Sequence, residues 1–332
     1  MSEAAVHPRE TFDWAGDTAH ELAFLDALAR GRLHHAWLVA GPEGVGKATF
    51  AYRAARRLLG AAAEPALGPL GSAPGDPVCR QIIQRAHPDL MVLQRDPEDG
   101  KARRNIPAEE ARGLPEFFSK SPASAPYRVA IVDTADDLNV FGANAVLKTL
   151  EEPPPRGVLL LITHSPGGLL ATIRSRCRRL RVATPEPEAA RAFVADRAGV
   201  SNAQAGVLLA MAGGAPGAAV RLALEGGLEI DGQARALLNS LPRVDEAATQ
   251  KIADGFRGAA GAIRFNLFLK RLAAHIHTDA VHRTGDMAAA LTNDRWAEAW
   301  SDIVAAPGEV EAINLDRGEV FLTTIDRLKA LA

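Results

Sequence analysis

The residues whose types and spacing could do chemistry begin with a glycine-rich run ending in a lysine. Gly41, Gly44, Gly46 and Lys47 lie in GPEGVGK, a G-x-x-x-x-G-K pattern. Glycines at this spacing let backbone N–H groups curl around phosphate oxygens, and the lysine can reach the outer phosphates. The next position normally carries a Ser or Thr whose hydroxyl ligates Mg²⁺. Here it is Ala48, which has no oxygen, and Thr49 is one residue late on a turning helix. Phosphate binding is therefore compatible with the sequence, while magnesium coordination is impaired.

A second chemical position follows the apolar run Val129 to Val132, which ends in Asp133. An aspartate there suits the metal side of a phosphate site. A glutamate beside it would activate the attacking water, but Thr134 occupies that place. Loss of a general base typically lowers a rate by about two to four orders of magnitude. Together, Ala48 and Thr134 predict a chain that does not turn over ATP.

A third cluster is cationic. RSRCRR (174–179) holds four arginines in six residues. A solvated basic face is the plain reading. The sharper one is that Arg176 acts from across an interface on a phosphoryl group bound elsewhere, where such an arginine is worth roughly three to five orders of magnitude. A site that is defective in cis can still be needed in trans.

The elements that must hold these groups follow from periodicity. Residues 20–31 read as a helix stopped by Gly31, AWLVA (36–40) as a buried strand, and 48–60 as an amphipathic helix. Strands are predicted at 89–93, 127–133 and 157–163, helices at 106–120 and 139–155, and a short basic helix running into a last strand over 172–182. Residues 61–78, rich in Ala, Gly and Pro, read as a loop. Strand–loop–helix followed by alternating strands and helices predicts an α/β layered domain over 1–183. Beyond PEPE (185–188) there is no convincing strand: a small helical unit is expected over 184–230, broken by the turn at 213–217, and a larger helical one over 231–332.

Composition sets outer limits. The 332 residues are 47% hydrophobic and 5% aromatic, enough for cores and biased toward helix. A net charge of −2 argues against a free-standing nucleic-acid binder. Two scattered cysteines, Cys79 and Cys177, and an acidic start without an apolar stretch predict a reduced, cytoplasmic protein.

NAVLKTLEEPP (144–154), THSP (163–166) and TIRSRC (172–177), at this distance from LHHAWLVAGPEGVGK (33–47), resemble bacterial DNA polymerase III clamp-loader subunits of the AAA+ family. The resemblance is clear over about residues 10–225. It implies a RecA-like AAA+ P-loop domain, a helical lid and an all-α collar that assembles a hetero-pentamer. Its partners would be gamma/tau and delta subunits, with the sliding clamp and primed DNA reached through the assembly. Two kinds of subunit must be separated. The motor kind keeps a complete P-loop, an Asp-Glu pair and an arginine in the lid. The delta-prime kind departs at those places and keeps the SRC arginine. Ala48, Thr134 and Gly217, which stands where the motor subunit has its lid arginine, place this sequence with the second.

The resemblance also implies that Arg176 is an arginine finger and that Gly41, Gly44, Gly46, Lys47 and Asp133 form a degenerate nucleotide site, with no cofactor required and weak ATP binding conceivable. Some relatives carry a four-cysteine zinc module after the P-loop helix. Residues 61–85 contain only Cys79, and His87 does not complete a ligand set, so no zinc is expected. The alternatives are an active ATPase, either a divergent motor subunit or a P-loop kinase, and a direct DNA binder using Lys148 or Arg103 and Arg104.

Overall fold

A computed structural model describes residues 6–95, 105–282 and 289–332, with side chains described except at 281–293. Arg103 and Arg104 lie outside the described residues. The chain divides into two compact units, Met1–Val220 and Arg221–Ala332. The division falls inside a helix, N-terminal to the boundary at residue 230 that the sequence suggests.

The first unit is built on five parallel strands: β1 (Ala36–Ala40), β2 (Leu90–Gln94), β3 (Arg128–Asp133), β4 (Gly157–Thr163) and β5 (Arg178–Arg181), in the order β2-β3-β4-β1-β5. Every pairing is parallel, with Ala36 beside Leu159 and Trp37 beside Arg178. Parallel sheets need both faces covered, so the central strands carry near-continuous apolar runs, Val129–Val132 in β3 and Val158–Ile162 in β4. All seven residues of β4 are buried, as are the first five of β3. Helix α1 (Thr18–Ala29) precedes the first strand, and the crossovers run through α2 (Lys47–Leu58), α3 (Pro77–Ile83), α4 (Ala108–Ser119), α5 (Val140–Glu151) and α6 (Ala171–Ser175). Three further helices, α7 (Pro187–Ala198), α8 (Asn202–Met211) and α9 (Pro216–Leu224), follow the sheet. Ser201 and Gln204 form a reciprocal capping box at the start of α8.

Helix α3 overlaps only the last two residues of the stretch 61–78 read as a loop and continues past it. Asp76 accepts hydrogen bonds from the N–H groups of Val78 and Cys79, and Pro77 fills the first helical position. A clearer departure concerns α2. Its Arg53 and Arg56, on what reads as the polar face of an amphipathic helix, are buried. Arg53 Nε lies 2.6 Å from Glu21 Oε1 of α1, and its other nitrogens donate to the carbonyls of Phe12 and Leu67. Arg56 donates to the carbonyls of Thr11 (2.9 Å) and Arg9 (2.6 Å) and stacks 3.9 Å from the Phe12 ring. The two guanidiniums bind residues 9–12 to the domain, which fixes where the following segment runs.

The second unit comprises α10 (Gly227–Ser240), α11 (Glu246–Asp254), α12 (Gly258–His282), α13 (Ala289–Ile313) and α14 (Arg317–Leu331). Its core centres on Phe256, Phe265, Phe268 and Phe321, whose rings meet edge to face at 5.2–5.9 Å. Among the described residues no strand occurs beyond β5, and no single helix is long and apolar enough to cross a membrane.

Candidate functional site

The phosphate loop joins β1 to α2 at the C-terminal edge of the sheet, where open α/β sheets place their ligands. Gly44 and Gly46 have φ of +78° and +98°, left-handed values that a side chain would strain. Space is as restrictive as conformation. A Cβ at Gly41 would stand 2.3 Å from the Val182 carbonyl oxygen, and one at Gly44 would stand 2.4 Å from the Ala218 nitrogen. The Trp14 ring lies over Gly46, 3.1 Å from where a Cβ would be, and tilts against Phe50 at 6.1 Å.

Lys47 is the first residue of α2 and is only 3% exposed. Its Nζ donates to the carbonyls of Gly41 (2.8 Å) and Pro42 (2.6 Å) and to His164 Nδ1 (2.8 Å). Three donors thus meet three acceptors of the same chain. Burial brings the Lys47 ammonium down to about 8, with Asp133, Glu43 and Asp136 pulling the other way. Burial and the neighbouring Lys47 charge lower His164, consistent with a neutral ring accepting at Nδ1.

Asp133 ends β3 beside this lysine. Burial pushes its carboxyl up to about 6, opposed by Lys47 and reinforced by Asp137. Thr134 directs its hydroxyl to Asp137 Oδ2 (2.9 Å), which also meets Arg95 Nε at 2.8 Å. Asp136 accepts from Thr163 Oγ1 (2.9 Å) and from the N–H groups of His164 (2.8 Å) and Ser165 (3.3 Å). That carboxylate shapes the end of β4 and aims His164 at Lys47. Ala48 offers no hydroxyl and packs against the apolar core.

The loop is also joined to α9. Gly217 N–H donates to the Gly44 carbonyl at 2.8 Å, and a Cβ at Gly217 would stand 2.9 Å from that oxygen. Absence of a side chain at position 217 is what permits this approach.

Arg176 lies elsewhere, just after α6. Its side chain is 38% exposed, with Nη1 donating to the Thr172 carbonyl (3.2 Å) and Nη2 at 3.1 Å from Glu151 Oε1. The structure brings Gly41, Gly44, Gly46, Lys47 and Asp133 together and leaves Arg176 apart from them at the surface. Cys177 beside it is half-buried, and burial pushes its thiol up to about 12, which favours the thiol over the thiolate. Lys148 is exposed on α5. Sequence reasoning missed Trp14, His164 and Asp136. Only His164, in THSP directly after a strand that ends beside the loop, carried a usable signal.

Residues 18–186 match the family described as DNA polymerase III, delta subunit. The chain is 36% identical over 194 residues to DNA polymerase III subunit delta′ of Pseudomonas aeruginosa, covering 58% of this chain and 57% of that protein. It is 34% identical over 173 residues to subunit tau of Escherichia coli, covering 51% of this chain and 25% of tau. The chain thus matches little more than half the length of the first relative. A gamma subunit-related protein of Thermotoga maritima has a similar structure, with a TM-score of 0.48 at 18% identity, covering 93% of this chain and 99% of that one. With the glycine loop at the edge of a five-stranded parallel sheet, and with the family match spanning the sheet, the chain belongs to the delta-prime family of DNA polymerase III subunits.

Proposed function

We propose that this chain is a non-hydrolysing subunit of a DNA polymerase III clamp loader and that it supplies Arg176 to ATP held by a neighbouring subunit. The observation that carries this reading is the contrast between two cations. Lys47 is buried and fully bonded to its own chain, whereas Arg176 stands at the surface. A magnesium-bound triphosphate does not fit the loop as it stands: Lys47 would have to leave three acceptors, and position 48 has no ligating oxygen. No nucleotide or zinc is required by the chain itself. Gamma/tau and delta subunits are the partners, the sliding clamp and primed DNA are reached through the assembly, and the setting is cytoplasmic. The α/β domain, the α7–α9 lid and the C-terminal helices divide the work, the last serving as the assembly platform.

Steady-state ATPase of the loader, reconstituted with wild-type or Arg176→Ala subunit in the presence of clamp and primed DNA, tests the proposal. The variant should assemble but hydrolyse slowly. Unchanged hydrolysis and clamp loading would end the trans-acting reading. Magnesium-dependent turnover by the isolated chain, abolished by Lys47→Ala, would show a working site and favour the motor-subunit alternative.

A further inference from the structure

Two elements converge on the guanidinium of Arg176. From its own segment, the Thr172 carbonyl accepts from Nη1 at 3.2 Å. From the last residue of α5, Glu151 Oε1 lies 3.1 Å from Nη2. The neighbouring arginines are engaged differently. Arg174 donates to the Pro166 carbonyl, and Arg178 lies 4.8 Å from the Trp37 ring. Among the described ion pairs, Arg176 is the arginine of the 174–179 run joined to a carboxylate.

A guanidinium carries five N–H donors in a planar fork. One bond at each terminal nitrogen leaves donors free for a further anion, so the two cis contacts orient the group without exhausting it. A free arginine in water samples many rotamers, and ordering it on arrival of a phosphate slows or weakens the encounter. Holding it beforehand removes that cost. The pair is exposed, at 38% and 53% for the two side chains, so it is too weak to lock the arginine and strong enough to bias it.

We propose that Glu151 is a positioning residue for Arg176, aiming the fork from the end of α5 at a phosphate bound by an adjoining ATPase subunit. This rests on the trans-acting reading of Arg176. Glutamine at 151 keeps an acceptor oxygen and should retain part of the aim, whereas alanine should lose it.

The test is a double-mutant cycle in the reconstituted loader, read as kcat and KM for MgATP. Glu151→Ala should lower kcat about two- to five-fold, the range an exposed ion pair supports, with KM little changed. Glu151→Gln should fall between alanine and wild type. In an Arg176→Ala background, Glu151→Ala should have no further effect. If Glu151→Ala left kcat unchanged or raised it while Arg176→Ala lowered it, the positioning role would be refuted and the trans-acting role would stand. An equal loss in both backgrounds would mark Glu151 as merely structural. If Arg176→Ala itself did nothing, both ideas would fall together.

Discussion

The phosphate loop and the Arg176 segment present the same kind of group, a cation suited to phosphate, in opposite settings. At the loop, Lys47 is enclosed, its donors matched by two carbonyls and a histidine. At the other end, Arg176 meets one carbonyl and one exposed carboxylate. A buried cation must be satisfied internally because desolvation leaves no other partner. A surface cation can exchange its partner for an incoming one. The difference teaches that availability, more than residue type, decides which cation can act on a ligand.

The comparison breaks most visibly at Arg176. Arg176→Ala should slow phosphoryl transfer at the site it serves by about three orders of magnitude or more, as single-turnover kinetics of the loader would read. Next in size is a test of the buried side. Glu21→Ala strands Arg53, a fully buried guanidinium, and should cost about 3–5 kcal/mol in denaturant unfolding. Survival of full stability would show that internal pairing does not constrain buried cations here. Gly217→Arg forces a side chain against the Gly44 carbonyl and should cost roughly 1–3 kcal/mol. An unshifted melting temperature would mean that the loop and α9 do not depend on their close contact.

A comparable effect depends on pH. The folded state raises the Asp133 carboxyl to about 6, above its unfolded value, so its favourable contribution is complete near pH 4 and lost as pH rises through about 6. Asp133→Asn lacks this loss. Its stability relative to wild type should therefore grow between about pH 4 and pH 6 and level off above, by at most roughly 3 kcal/mol for a rise of this size. A flat difference across that range would contradict the burial of the charge. Smallest of all, Arg176→Ala should change stability by about 0.5 kcal/mol or less, which thermal melting would check. A large drop would make the arginine structural.

Strands β1 to β4 were legible because they contain short apolar runs, and the runs within 128–133 and 157–163 needed no tertiary knowledge, whereas β5, Arg178–Arg181, is mostly arginine and was read only as the end of the basic segment. The loop glycines and Lys47, which the fold brings together, were legible from their spacing; Arg176 was singled out by its motif, and its role is the proposal above. What escaped depends on contacts distant in sequence. Nothing local announces that Arg53 faces Glu21 from 32 residues away, or that Lys47 meets His164 from 117 away. Helix α3 escaped for another reason: at seven residues it is too short for periodicity to register, and only the Asp76-Pro77 start betrays it.

One feature of the loop bears on how such sequences drift. The surroundings of Gly41 and Gly44 leave no room for a Cβ: the Val182 carbonyl crowds one and Ala218 the other, while Trp14 presses on Gly46. Substitutions at these glycines are therefore penalised by folding alone, whether or not a nucleotide ever binds. Position 48 holds an alanine packed against the core, and position 134 a buried threonine whose hydroxyl meets Asp137, so the first presents no serine or threonine ligand and the second no glutamate. Under such packing the glycine pattern can persist in a sequence independently of whether hydrolysis does. In this fold, a recognisable glycine pattern records ancestry and packing, and the two positions beside it record whether the chemistry survived.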